Sequence, residues 1–119
     1  MQIKFWGVRG SIASGSPTTA GVGGNTTCVE VRCGDELIII DTGTGVRNLG
    51  MALMKEMPLK ATILFSHVHW DHIQGFPFFG PFFIPGNEFR IFGGTSLPTT
   101  IEEVLSQQMR PPYFPVKTD

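Results

Sequence analysis

Three histidines and one aspartate within six residues carry the chemistry of this chain. The stretch Ser66-His67-Val68-His69-Trp70-Asp71-His72 holds every histidine of the 119-residue sequence, in the pattern H-x-H-x-D-H. A lone histidine is more often a hydrogen-bonded or surface residue than a ligand, but four such donors this close point to a metal site. In extended chain His67 and His69 lie on one face and can share a metal. Asp71 and His72 are adjacent, so they cannot both face that side of a strand. The chain must bend there, into a helical turn, and the pair then addresses a second position. The spacing therefore predicts two neighbouring divalent metal ions fed from one loop. Imidazole and carboxylate without thiolate suit Zn²⁺, with Mn²⁺ or Fe as alternatives. Two metals about 3.5–4 Å apart polarise a substrate oxygen and lower the pKa of a shared water toward ~7. The expected chemistry is hydrolysis by metal-bound hydroxide, with Asp71 a ligand that also steers the nucleophile. Asp41, at a strand end, is expected to orient a ligand histidine from behind. A helix-start role beside Gly43 fits Asp41 equally well at this level.

The elements that must position these residues follow from periodicity. Gln2–Trp6 alternates as a first strand and is broken by Gly7-Val8-Arg9-Gly10-Ser11. Residues 11–25, rich in Gly, Ser, Thr and Pro, read as a functional or covering loop. Thr27–Cys33 alternates again, with Cys28, Glu30 and Arg32 on one face. Gly34-Asp35 is a two-residue hairpin turn, and the apolar run Leu37–Ile40 suggests a strand buried on both faces. Asp41-Thr42-Gly43-Thr44-Gly45 leads into a helix along Val46, Leu49, Leu53 and Met57, with Thr44 as N-cap and Pro58 as stop. Ala61–Phe65 is the next buried strand, which makes a parallel, right-handed βαβ unit ending at the histidines. Five phenylalanines and three prolines between Gln74 and Gly86 forbid a long helix. A core-covering role suits this segment better than an apolar wall beside the site or a subunit interface. Glu88–Phe92 reads as a strand. Thr99 and Glu102 form a capping box for a helix along Ile101, Val104, Leu105 and Met109, ended by Pro111-Pro112. The fold class is α/β, with a mixed sheet in which a β-hairpin is followed by βαβ, then a strand and a helix.

Bulk properties narrow the functional classes. Hydrophobic residues make up 41% and charged residues 16%, the balance of a folded domain. A net charge of −1 provides no basic stripe for a polyanion. The N-terminus lacks the apolar core of a signal peptide, and no apolar run approaches the ~20 residues of a membrane span. The expected location is the cytoplasm, with no membrane partner. Cys28 and Cys33 share one strand, roughly 16 Å apart at ~3.3 Å per residue. A disulfide needs less than about 7 Å, so both are expected to be free packing residues.

The run from Phe5-Trp6-Gly7-Val8-Arg9-Gly10-Ser11 onward resembles the metallo-β-lactamase fold superfamily of metal-dependent hydrolases. H-x-H-x-D-H after a buried strand carries the resemblance. Gly23-Gly24-Asn25-Thr26-Thr27-Cys28, Asp41-Thr42-Gly43-Thr44-Gly45 and the run from His69 to Gly86 look like its phosphodiesterase and RNase Z-like branch. The resemblance implies an αββα sandwich with a dinuclear site. His67 and His69 would bind the first metal, Asp71 and His72 the second, and Asp41 would support the ligands. It implies a hydrolase acting on a small-molecule or nucleotide phosphodiester, with thioesters and lactones as other substrates.

Members of that family draw another His, a bridging Asp and a last His from later in the chain, whereas no histidine follows His72 here. Four ligands cannot complete two tetrahedral sites that each keep an open position. A second copy would bring only the same motif. The expectation is that residues 1–119 form the N-terminal part of one metallo-β-lactamase-like domain and are inactive alone. The alternative is a non-catalytic module that binds metal weakly and forms a homo-oligomer through its Phe-rich region, because half of a two-sheet sandwich leaves a core face uncovered.

Overall fold

The computed structural model describes residues 1–94 and 99–118. Five strands form one mixed sheet whose spatial order is the order of the chain. They are β1 (Gln2–Gly7), β2 (Cys28–Cys33), β3 (Glu36–Ile40), β4 (Lys60–Leu64) and β5 (Glu88–Phe92). The β1/β2 and β2/β3 pairs are antiparallel, and β3/β4 and β4/β5 are parallel. The β2–β3 hairpin turns at Gly34-Asp35, where Gly34 takes a φ of 58° that glycine adopts without steric cost. Helix α1 (Gly45–Leu53) makes the crossover from β3 to β4, and α2 (Trp70–Ile73) follows the histidines. Helix α3 (Ile101–Gln108) comes after β5.

The core lies on the α1 side of the sheet. Val46, Leu49 and Leu53, at helical spacing, are buried in one cluster with Leu37, Ile39 and Ile63. The Phe-rich segment closes this cluster with two 3-10 turns, Phe76–Phe78 and Gly80–Phe83. Phe76 and Phe79 are buried, and Phe79 and Phe82 pack edge-to-face on each other and on Phe89. Core covering is therefore the main role of this segment, although Phe78 and Phe83 stay exposed. A Cβ at Gly50, inside α1, would meet Phe79 and Pro81 at 3.0 Å, which explains a glycine at a helix position where it costs stability.

Three expectations shift. The run Leu37–Ile40 is not buried on both faces: Leu37 and Ile39 are buried, while Ile38 and Ile40 are only half-buried. Strand β4 behaves likewise, with Ala61 and Ile63 buried and Leu64 exposed. The cause is that helices cover one face only. On the other face, the row Phe5, Val29, Ile40, Leu64 and Phe92 is apolar from edge to edge of the sheet. Phe5 at one edge is 65% exposed and Phe92 at the other 49%. Second, α1 ends at Leu53 and tightens into a 3-10 turn, Met54–Glu56, leaving Met57 outside it in extended conformation. Third, the capping box sits one residue later. The Thr100 hydroxyl accepts from the Glu103 N–H at 3.2 Å, and the Glu103 carboxylate accepts from the Thr100 N–H at 3.4 Å. Thr99-Thr100 and Glu102-Glu103 are doublets, so the motif fits the sequence in either register.

Among the described residues no helix is long and apolar enough to cross a membrane. Both cysteines are free, with Cys28 buried and Cys33 exposed. Burial pushes the Cys28 thiol up to about 12, with the nearby charges of Asp41 and Glu30 adding to the shift. A thiol reagent at pH 8 should therefore modify one cysteine per native chain, Cys33, and both in denaturant. Two fast-reacting thiols in the native chain would show that β2 is not held in the sheet in this way.

Candidate functional site

The site is built where the parallel strands β3 and β4 end side by side. Asp41 follows β3 and donates its N–H to the Leu64 carbonyl at 2.8 Å, which brings it alongside Ser66. It is 3% exposed and takes a left-handed φ of 64°, a conformation Asp tolerates better than most residues. Its Oδ1 accepts the Ser66 N–H at 2.9 Å. Its Oδ2 accepts the Ser66 hydroxyl at 2.7 Å and His72 Nδ1 at 2.9 Å. Asp41 is thus the group that orients a candidate ligand, and it lies outside helix α1.

The bend expected at Asp71-His72 is the single turn α2. It is tied back to the end of β3 by two backbone bonds, Thr42 N–H to the His72 carbonyl at 2.8 Å and Gly75 N–H to the Thr42 carbonyl at 2.9 Å. A Cβ at Gly75 would run into the carbonyl of Gly43, so only glycine permits this approach. His67 and His69 lie beyond the end of β4, their ring centroids 4.6 Å apart. The His67 and His72 rings are closer still, at 3.8 Å. Asp71 Oδ2 lies 3.4 Å from His72 Nε2. The structure therefore gathers all four predicted donors, with Asp41 behind them.

Sequence reasoning assigned no role to two further residues here. Ser66 joins Asp41 to the imidazoles, its Oγ lying 3.2 Å from His67 Nδ1 and 3.3 Å from His72 Nδ1. The backbone N–H of Ser11, at a φ of 70°, donates to Asp71 Oδ2 at 3.1 Å across 60 residues of sequence. Position next to the histidines was the only signal for Ser66. For Ser11 the signals were the break Gly7-Val8-Arg9-Gly10-Ser11 and its place at the start of the loop 11–25. Thr44 takes the expected N-cap position of α1, but its hydroxyl makes no cap bond. It accepts the Thr26 N–H at 2.8 Å and bonds Asn25 Oδ1 at 3.1 Å, pinning the long loop to the start of α1.

The donors fit a divalent metal in kind. With Nδ1 of His72 held by a carboxylate, Nε2 is left as the ligating atom, an arrangement common behind metal-bound histidines. They fall short in arrangement. Among the described residues no three His, Cys, Asp or Glu side chains converge on a point that would hold a metal ion.

The cluster thus sits at the ends of the parallel strands of a sheet that helices cover on one face. The metallo-beta-lactamase superfamily model matches residues 21–85, more than half of the chain, and the chain belongs to that superfamily. Human tRNase Z, short form, matches 92% of this chain at 23% identity with a TM-score of 0.60, and 39% of its own length is covered. A Thermotoga maritima protein provisionally described as a metallo-beta-lactamase matches 67% of the chain at 24% identity and a TM-score of 0.40, with 40% of its length covered. The chain thus spans about two fifths of the length of either structure. No curated protein sequence matches it.

The anchoring carboxylate sets two effects against each other. A left-handed residue with a Cβ costs roughly 1–2 kcal/mol, which glycine would recover. Hydrogen bonds to a charged group contribute about 1.5–3 kcal/mol each, and Asp41 accepts three. The bonds win. Water can satisfy part of what exposed Ser66 loses, so Asp41→Gly is expected to destabilise the chain by about 2–4 kcal/mol in urea unfolding. A neutral or stabilising result would show that backbone strain dominates.

Proposed function

We propose that this chain carries the first half of the active site of a metal-dependent hydrolase that acts on small-molecule or nucleotide phosphodiesters. The gathering of three imidazoles and Asp71 at the ends of β3 and β4, with His72 tied to buried Asp41, is the observation that carries the reading. His67 and His69 would hold one metal and Asp71 and His72 a second, with zinc the best match to these donors. The metal pair, when bound, supplies an activated water and charge stabilisation at phosphorus. The chain's own groups do the positioning: Asp41 fixes the His72 ring, and the Ser11 N–H holds one oxygen of Asp71.

Phosphodiesters are favoured by the branch-like segments around the motif and by a fold neighbour that is, by name, a tRNase. The net charge of −1 favours a small substrate over a polynucleotide. Residues 1–119 then form part of one two-sheet domain. The uncovered apolar face takes the second sheet, and the missing ligands come with it. Free thiols accord with a cytoplasmic setting. A second reading, a non-catalytic module that self-associates, draws on the same uncovered face.

Zinc titration and turnover of bis(p-nitrophenyl) phosphate separate the two. The 119-residue chain is expected to take up zinc through the histidine cluster and to lose it in the double variant His67→Ala/His69→Ala, with no measurable turnover. The same double variant in a polypeptide that carries the second sheet should lose at least about a hundredfold of its turnover. Zinc uptake unchanged by the double variant would sink the hydrolase reading. Full turnover by the 119-residue chain would sink the half-site reading.

A further inference from the structure

The Ser66 hydroxyl has one proton and three polar neighbours: Asp41 Oδ2 at 2.7 Å, His67 Nδ1 at 3.2 Å and His72 Nδ1 at 3.3 Å. An ionised carboxylate can only accept, and it is the nearest of the three, so the proton goes to Asp41. The lone pairs of Oγ then face the two imidazoles. His72 Nδ1 has the nearer and stronger acceptor in Asp41 Oδ2, at 2.9 Å. His67 Nδ1 bonds Ser66 alone in this cluster, and that contact is a hydrogen bond only if Nδ1 carries the hydrogen.

We infer that Ser66 is a positioning residue that locks His67 in the Nδ1–H tautomer, so that His67 and His72 are both set, Nε2 outward, by the one carboxylate of Asp41. His72 is set directly and His67 through the serine hydroxyl. Ser66 is held to the same carboxylate twice, by its backbone N–H to Asp41 Oδ1 at 2.9 Å and by its hydroxyl to Oδ2 at 2.7 Å. His69 makes no such bond among the described residues and serves as an internal reference. The inference deepens the proposed metal-site reading, but the tautomer belongs to the metal-free chain, so its test stands apart from metal uptake.

The experiment is nitrogen-15 NMR of the imidazoles in the metal-free 119-residue chain, at a pH where they are neutral, for wild type, Ser66→Ala and Ser66→Thr. In wild type His67 should show a protonated Nδ1 and a bare Nε2. Ser66→Ala should return it to a mixture of tautomers like that of His69. Ser66→Thr, which keeps the hydroxyl, should restore the wild-type pattern, and His72 should hold Nδ1–H throughout. An Nε2–H form of His67 in wild type overturns the inference even if Ser66→Ala fails to fold, and so does an unchanged tautomer ratio in a folded Ser66→Ala. Zinc titration adds a second readout. Loss of the hydroxyl is expected to weaken uptake about ten- to a hundredfold, with Ser66→Thr close to wild type. Equal affinity in Ser66→Ala and wild type counts against the inference. Absence of zinc uptake in wild type counts against the proposed function, while the tautomer spectra still decide the role of Ser66.

Discussion

The structure of the site depends on one buried carboxylate. Asp41 sits at the end of the central parallel pair, in a left-handed conformation that a β-strand cannot continue. The turn it makes sends the chain away toward α1 and leaves its side chain at the strand end, facing the neighbouring loop. There it accepts three hydrogen bonds from Ser66 and His72. A buried carboxylate without such donors would be expensive, and without it these donors would lose their shared acceptor. Ser66, His67 and His69 are exposed, so these hydrogen bonds act beside the packing of Phe65 and Val68 in holding the loop after β4.

The second constraint is steric. Three segments far apart in sequence meet at backbone distance: the end of the long loop at Asn25-Thr26, the turn Thr42-Gly43, and α2 with Gly75. Thr26 and Thr44 bond each other reciprocally through backbone and hydroxyl groups, and Thr26 is fully buried. A Cβ at Gly43 would collide with Thr26 and with the carbonyl of Asp71. Glycine at these crossings lets the backbone of the metal motif sit directly on the turn that presents Asp41. The histidines are thus registered to the sheet by backbone contacts, a stiffer link than side chains alone would provide.

Much of this was legible in the sequence because the relevant signals are local. The H-x-H-x-D-H spacing, the Gly34-Asp35 hairpin and the 3.6-residue stripe of α1 each reveal themselves within a few residues. Signals that depend on partners far along the chain were not legible. The bond from Ser11 to Asp71 spans 60 residues, and an exposed serine after a glycine carries no mark of it. The burial of Leu37–Ile40 misled for a different reason. A continuous apolar run reports that both faces of a strand want cover, and only one face has it among these residues. Thr44 takes the N-cap position its type suggests, but its hydroxyl bonds Asn25 and Thr26 instead of the helix, which local spacing cannot show.

That misreading of β3 is informative about the domain. An apolar strand on a sheet with one covered face leaves an apolar surface open, the surface that the proposed second layer would use. The row Phe5, Val29, Ile40, Leu64 and Phe92 runs across all five strands with no charge in it. A solvent-facing sheet would alternate polar residues into that row. Ile40 and Leu64, in the middle of that row, lead directly into Asp41 and into the loop that carries the histidines. Under the proposed half-site reading, the uncovered face and the incomplete metal centre are two aspects of one feature, because a layer that covered the sheet would also be a source of further donors.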